Sequence, residues 1–450
     1  MNDAPRTSLA AAPATDRTSC APSGAAARSV RRRYYAVHAL TWFAAVLPMP
    51  VHVLLAAERG FDLQQIGWTM GLYAATVALL ELPTGGLADA YGRKRIALAS
   101  VAVHAVASLA LLVAFDPPAL FAYAALLGLA RALGSGALAA WFVDALREAG
   151  AEAEVQPSLA GAGTVQLIAL AAGTLAGGAI PMAFPHLAVD VGSVWTPLAT
   201  PVAASVAMHG VALLATAIWI RESRRTRSDT DGAGRTHGPA ALLRDAWTLL
   251  RTRPVLPLLL ATQAAAGFAL FTQETFWQPF LSARLDDATD RTWIFGAVLA
   301  GSFLAGTVGN LTAAVVGRRA RGRHADLAAA AVVVQAAALA GLATGPGAAG
   351  AIACFWLAYG AMGVAASPLG TLFHAEVPSG RRAAMLSLLS LTGFAGSFVA
   401  SLLLGAVAQT ASLAVAWGLA AGALAFGAAV LVRAGRRAAV RVAAPGDAAG

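Results

Sequence analysis

The sequence predicts an all-α integral membrane protein, with twelve transmembrane helices in two pseudo-symmetric six-helix bundles. Three observations predict it. The 450 residues are 58% hydrophobic and only 12% charged, with a mean hydropathy of +0.66, whereas a soluble domain carries about a quarter charged residues. Apolar runs of the ~20 residues that a helix needs to cross hydrocarbon recur along the chain. The basic residues fall almost entirely in alternate connections between those runs, as the positive-inside bias requires.

Taken in order, residues 1–33 are rich in Ala, Arg, Ser, Thr and Pro and hold no apolar run. They read as a disordered cytoplasmic tail rather than a secretory signal. Apolar runs then place six helices at about 35–57, 65–88, 96–115, 119–144, 158–182 and 199–220. Six more follow at about 255–281, 293–316, 327–345, 349–373, 384–407 and 411–432. Residues 34–220 and 254–432 are therefore the two expected bundles, with a cytoplasmic linker at 221–253 and a cytoplasmic tail at 433–450. The linker begins as a polar RESRRTRSDTDGAGRTHG and continues as PAALLRDAWTLLRTRP. There Leu242, Leu243, Trp247, Leu249 and Leu250 give a short helix an apolar face for the inner membrane surface.

With the N-terminus inside, only Arg59, Arg284 and Arg291 of the 32 basic residues fall in outside loops, and Arg131 lies within a helix. Removing one helix would scatter the rest over both sides, so the bias supports the even count and two cytoplasmic termini. Six helices, a linker and six helices is a repeat organisation that many secondary transporters share.

Other classes fit poorly. A pI near 10.5 hints at nucleic acid, but charges confined to short loops argue against that partner. No G-x-x-x-x-G-K-[ST] occurs, so no nucleotide partner and no nucleotide-driven pump is expected. Cys20 and Cys354 make no disulfide framework. His38, His104 and His209 have no second ligand at i+3 or i+4, so neither a metal nor a cofactor is expected. A channel would need a recurring ring of like charge. A polytopic membrane enzyme would need paired His/Asp or Asp-Asp groups, and the loops offer only singles such as His324 and Asp326. The excess of Ala, Gly and Arg, with Lys94 the sole lysine, suggests a GC-rich bacterial genome and hence a bacterial plasma membrane.

Residues 85–95 read GGLADAYGRKR. Gly85 allows a neighbouring helix to approach, Gly92 permits a sharp turn, and Asp89 can accept N–H groups at a helix start. Gly85, Asp89, Gly92, Arg93, Lys94 and Arg95 resemble the signature G-x3-D-[RK]-x-G-[RK]-[RK]-[RK] between the second and third helices of the major facilitator superfamily. Ala90 stands where a basic residue is usual. The resemblance spans about 35–432, and the stretches GLARALGSGALAAWFVDAL (128–146) and HAEVPSGRRAAMLSLL (374–389) resemble drug-efflux-like members. It implies the major facilitator fold and a small-molecule substrate; protons are the expected coupling ion and a monomer the expected state. It also implies that Asp89 meets the start of the eleventh helix and that Arg93 pairs with Asp144, the contacts acting as a conformational latch. The alternative is that Arg93, Lys94 and Arg95 serve only to fix topology.

Charges inside hydrocarbon are costly and mark functional hypotheses. Three lie clearly within helices: Glu81, Arg131 and Glu274. Arg131 resembles the arginine of the family motif R-x-x-Q-G-x-G, without its glutamine, and in that family the arginine is linked to proton transfer. It can hold a carboxylate ionised or bind an anionic substrate; the alternative is a structural salt bridge to Glu81. Glu274 lies in FTQETFWQPF, where Gln273, Glu274, Trp277 and Gln278 fall on neighbouring turns and Pro279 loosens the helix beyond them. A desolvated carboxyl there can load and release a proton near neutral pH, and the Trp277 ring can hold a flat or cationic ligand. The alternative is a wet outer vestibule near Asp286 and Asp287. His38 joins the candidates because first helices often line a cavity, whereas Gln166, Asn310 and Gln335 read as interhelical hydrogen-bonders. The fifth helix reads Gly173-Thr174-Leu-Ala-Gly177-Gly178, where drug antiporters of the family often carry G-P-x-x-G-G. The expected function is proton-coupled export of a small hydrophobic or drug-like molecule by alternating access, with uptake or facilitation as the alternative.

Overall fold

A backbone surrounded by hydrocarbon must satisfy its own hydrogen bonds, and every described element is a helix. The structure is a computed structural model describing residues 24–85, 87–187, 193–222, 239–286, 290–319, 323–378 and 381–443. Its first half holds α1 (Gly24–Val46), α2 (His52–Glu58), α3 (Leu63–Gly85), the short α4 (Leu87–Tyr91), α5 (Arg93–Leu112), α6 (Pro117–Gly134), α7 (Ala137–Glu148), α8 (Val155–Ala179) and α9 (Thr200–Trp219). A connecting helix, α10 (Pro239–Thr252), leads to α11 (Leu256–Ser282), α12 (Thr292–Arg319), α13 (His324–Ala343), α14 (Ala348–Glu376), α15 (Arg382–Thr410) and α16 (Leu413–Ala443). Among the described residues, ten helical spans are long and apolar enough to cross a membrane. The α1–α2 pair and α3 complete twelve crossings, six to a half.

Two expected helices are broken. The first stops at Val46 and resumes at His52, because Pro48 and Pro50 interrupt the helical hydrogen-bond ladder. The fourth stops at Gly134 and resumes at Ala137. Two helices also run past their expected ends. α1 begins at Gly24 inside the segment expected to be a disordered tail; Ala25–Ala27 are strong helix formers, Ala27 is buried, and Arg31 pairs with Glu154 at 2.6 Å. α16 continues to Ala443 instead of stopping near 432, through Ala and Arg residues that favour a helix.

The halves meet along two seams, α3 against α15 and α8 against α12. Their contacts tighten at the end carrying residues 47–62 and 283–286, the end expected to face outward. A Cβ on Gly178 would stand 2.7 Å from the Gly296 backbone nitrogen, so only glycine lets α8 and α12 approach this closely. Leu63 N–H donates to the Gln409 side chain at 3.3 Å. The broken first helix is sealed from the other half: the Gln278 carbonyl accepts from Val53 N–H at 3.1 Å and its amide donates to the Met49 carbonyl at 2.7 Å. One α11 side chain thus pairs with a carbonyl inside the break and with an N–H in the first turn beyond it.

Candidate transport site

Arg131 owes its place to the break in the fourth crossing. It sits in the last turn of α6, where unpaired helix carbonyls favour a cation. Ser135 then donates to the Ala132 carbonyl at 2.8 Å, and Gly136, at φ +86°, starts α7 in the left-handed region. Irregular backbone at membrane depth is tolerated where it lines a cavity, and Gly134, Ser135 and Gly136 all line one. This chamber, of about 240 Å³, lies within the first half and is also lined by Arg131, His38 and His104. Among the described residues, Arg131 makes no ion pair, so the alternative of an Arg131–Glu81 salt bridge does not form. Tyr73 on α3 lies near Arg131, Glu81 and Glu274. Glu81 instead accepts from Ser390 of the other half at 2.9 Å.

Glu274 lies on the exposed side of α11, one turn inward of Gln278. Tyr73 from the first half and Tyr359 from α14 both fall within its electrostatic range. It therefore faces the space between the halves, beneath the seal, and not an outer vestibule near Asp286; Asp287 lies outside the described residues. Gln273 and Trp277 do not join it. Gln273 is fully buried and accepts from Gln335 at 3.0 Å, while Trp277 packs against Phe355 and Phe295 with ring centroids 5.3 and 5.7 Å away. About 100° of helical rotation per residue puts 273 and 277 on one stripe and 274 and 278 on the next. The first stripe faces the core of the second half. That half has its own chamber of about 340 Å³, lined by uncharged polar groups including Gln263, Gln335, Ser390 and Ser397.

His38 lines the first chamber, stacked on Tyr34 with centroids 5.2 Å apart. His104 on α5 and His209 on α9 stack at 5.4 Å, and the His209 Nε2 is buried without a partner. Spacing along one helix could not find this pair because its members sit on different helices. No metal-binding cluster stands among the described residues.

At the opposite end, Arg93 donates to the Asp144 carboxylate and to the Ala140 carbonyl, the latter at 2.7 Å, joining α5 to α7. Both residues belong to the first half. Gly92 precedes α5 at φ +98°. The side chain of Asp89 and the surroundings of Gly85 lie outside the described residues. A contact the sequence did not reveal comes from Glu222, just beyond α9, whose carboxylate accepts from Lys94 N–H at 3.1 Å. A separation of 128 positions leaves no local signal.

The family model described as Major Facilitator Superfamily matches residues 34–401. The chain belongs to the Major Facilitator Superfamily. Superfamily members among solved structures share its fold at low identity. The nucleoside transporter NupG aligns with a TM-score of 0.72 at 14% identity, covering 90% of this chain and 98% of that one. A bacterial homologue of the human lysosomal transporter Spinster, in an inward-facing and unoccupied conformation, aligns with a TM-score of 0.67 at 14% identity, covering 91% and 95%. No curated protein matches the chain in sequence. This superfamily member is a membrane transporter for a small molecule, not an enzyme.

Proposed function

We propose that the protein is a secondary active transporter of the bacterial plasma membrane, exporting a small hydrophobic molecule against protons by alternating access. One observation carries the reading: Glu274 faces the space between two halves that are sealed directly beyond it by Gln278. A carboxyl so placed opens to one side while the seal holds and to the other once the halves rock apart. It can therefore exchange a proton on alternate sides. Gly85, Asp89, Gly92, Arg93 and Asp144 form the latch at the opposite end, and the chain works as a monomer with both termini in the cytoplasm.

The test uses purified protein in liposomes carrying an internal pH dye, challenged with a panel of lipophilic cations and organic anions. Substrate-dependent proton movement in the wild type that vanishes in Glu274→Gln supports the reading. Coupling that survives Glu274→Gln but not Arg131→Ala moves the proton path to Arg131 and Glu81. A proton-coupled uptake symporter is the second reading, favoured by Thr174 where drug antiporters of the family carry proline. The direction of proton flow relative to substrate separates the two.

A further inference from the structure

The chamber beside Arg131 has an unusual donor inventory. Its hydroxyl side chains are engaged by the protein itself: Thr41 donates to the Val37 carbonyl at 2.9 Å, Ser100 to Ala130 at 2.8 Å, Ser135 to Ala132 at 2.8 Å and Thr216 to Ala212 at 2.7 Å. An uncharged polyol would find few partners there. The donors left over are the Arg131 guanidinium, the Trp42 indole N–H, the His38 ring and the hydroxyl of Tyr34, whose own ring is covered by Phe142 and His38. No Asp or Glu lines the chamber among the described residues, so the guanidinium is its one formal charge. The first turn of α7 opens on the same space, and its N-cap Gly136 offers no side-chain acceptor to the free N–H groups. Arg131 is exposed to this space and makes no ion pair among the described residues, so an anionic ligand gains a charge-assisted hydrogen bond from it without displacing a carboxylate.

We infer that this chamber binds an aromatic organic anion, its carboxylate on Arg131 and its rings against Trp42. The inference rests on the transporter reading and names its substrate class. The probe is radiolabelled 2-naphthoate, bound to the purified full-length protein in lipid nanodiscs, with uncharged 2-naphthamide and cationic 2-naphthylmethylammonium as competitors. The naphthoate binds at least tenfold more tightly than either competitor. Arg131→Ala weakens it at least tenfold, Arg131→Lys by less, and Trp42→Ala also weakens it. Arg147→Ala, which removes only the exposed pair with Glu152, changes nothing. If Arg131→Ala does not fold, Arg131→Gln is measured in its place, with melting temperature reporting the fold. Equal binding of the three probes, wild-type affinity in the Arg131 variant, or no naphthoate binding to the wild type overturns the inference. In proteoliposomes, Arg131-dependent binding without naphthoate flux would overturn transport and leave the anion site standing. Flux of the panel without anion preference would do the reverse.

Discussion

Glu274 and Trp277 are three residues apart and do different work. The carboxyl faces the space between the halves, while the indole is 5% exposed among Phe295 and Phe355. The physical reason is the width of a helical stripe: residues within one turn share a neighbourhood in sequence but point into different surroundings. Truncating the indole removes core packing, so Trp277→Ala lowers stability by about 3–5 kcal/mol, read by denaturation in detergent. An unchanged stability joined to lost ligand binding would return Trp277 to the site. That Glu81, Arg131 and Glu274 are special was legible from the cost of charge in hydrocarbon. Which face each one takes was not, because α11 is apolar nearly all round and its periodicity carries no direction.

At the scale of elements, nine of the twelve crossings follow apolar run length to within a few residues. The notable departures are interruptions. The first crossing breaks at Pro48 and Pro50, whose missing N–H groups are visible in the sequence. The fourth breaks at Ser135 and Gly136, a signal the apolar run conceals. Gly136 adopts φ +86°, and an added Cβ meets nothing within 4 Å. Any cost of Gly136→Ala is therefore backbone strain alone, about 1–2 kcal/mol for an L-residue in the left-handed region. Equilibrium unfolding of the variant checks it, and an unchanged stability would mean that the break is not held in the folded protein. Without the break Arg131 would lose the α6 carbonyls that favour its charge.

At the scale of the whole molecule, the seal is built from parts that no local pattern links. Gly178 and Gly296 are 118 positions apart, and Gln278 reaches a first helix more than 220 residues upstream. Because the Gly178 contact is with backbone, a larger side chain cannot be absorbed by a rotamer change. Gly178→Val therefore pushes α8 from α12 and shifts the population toward the conformation open at that end. Spin labels at Met182 and Trp293, both exposed near the seam, should report a longer-distance population in the variant than in the wild type. Identical distributions would mean that the contact does not govern closure.

By itself the sequence determined the number of crossings, the division into two halves, the superfamily and the short catalogue of intramembrane charges. Run length, charge bias and the cost of burying charge are local quantities, and each can be read from a window of residues. Only the tertiary structure decided that Arg131 makes no ion pair among the described residues, that Glu81 reaches Ser390, that Gln273 and Trp277 belong to the core, and that Gln278 closes the first helix. Each of these is set by which helices become neighbours. In hydrocarbon that choice depends on close fit and satisfied backbone groups over the whole bundle, and no single window of sequence contains it.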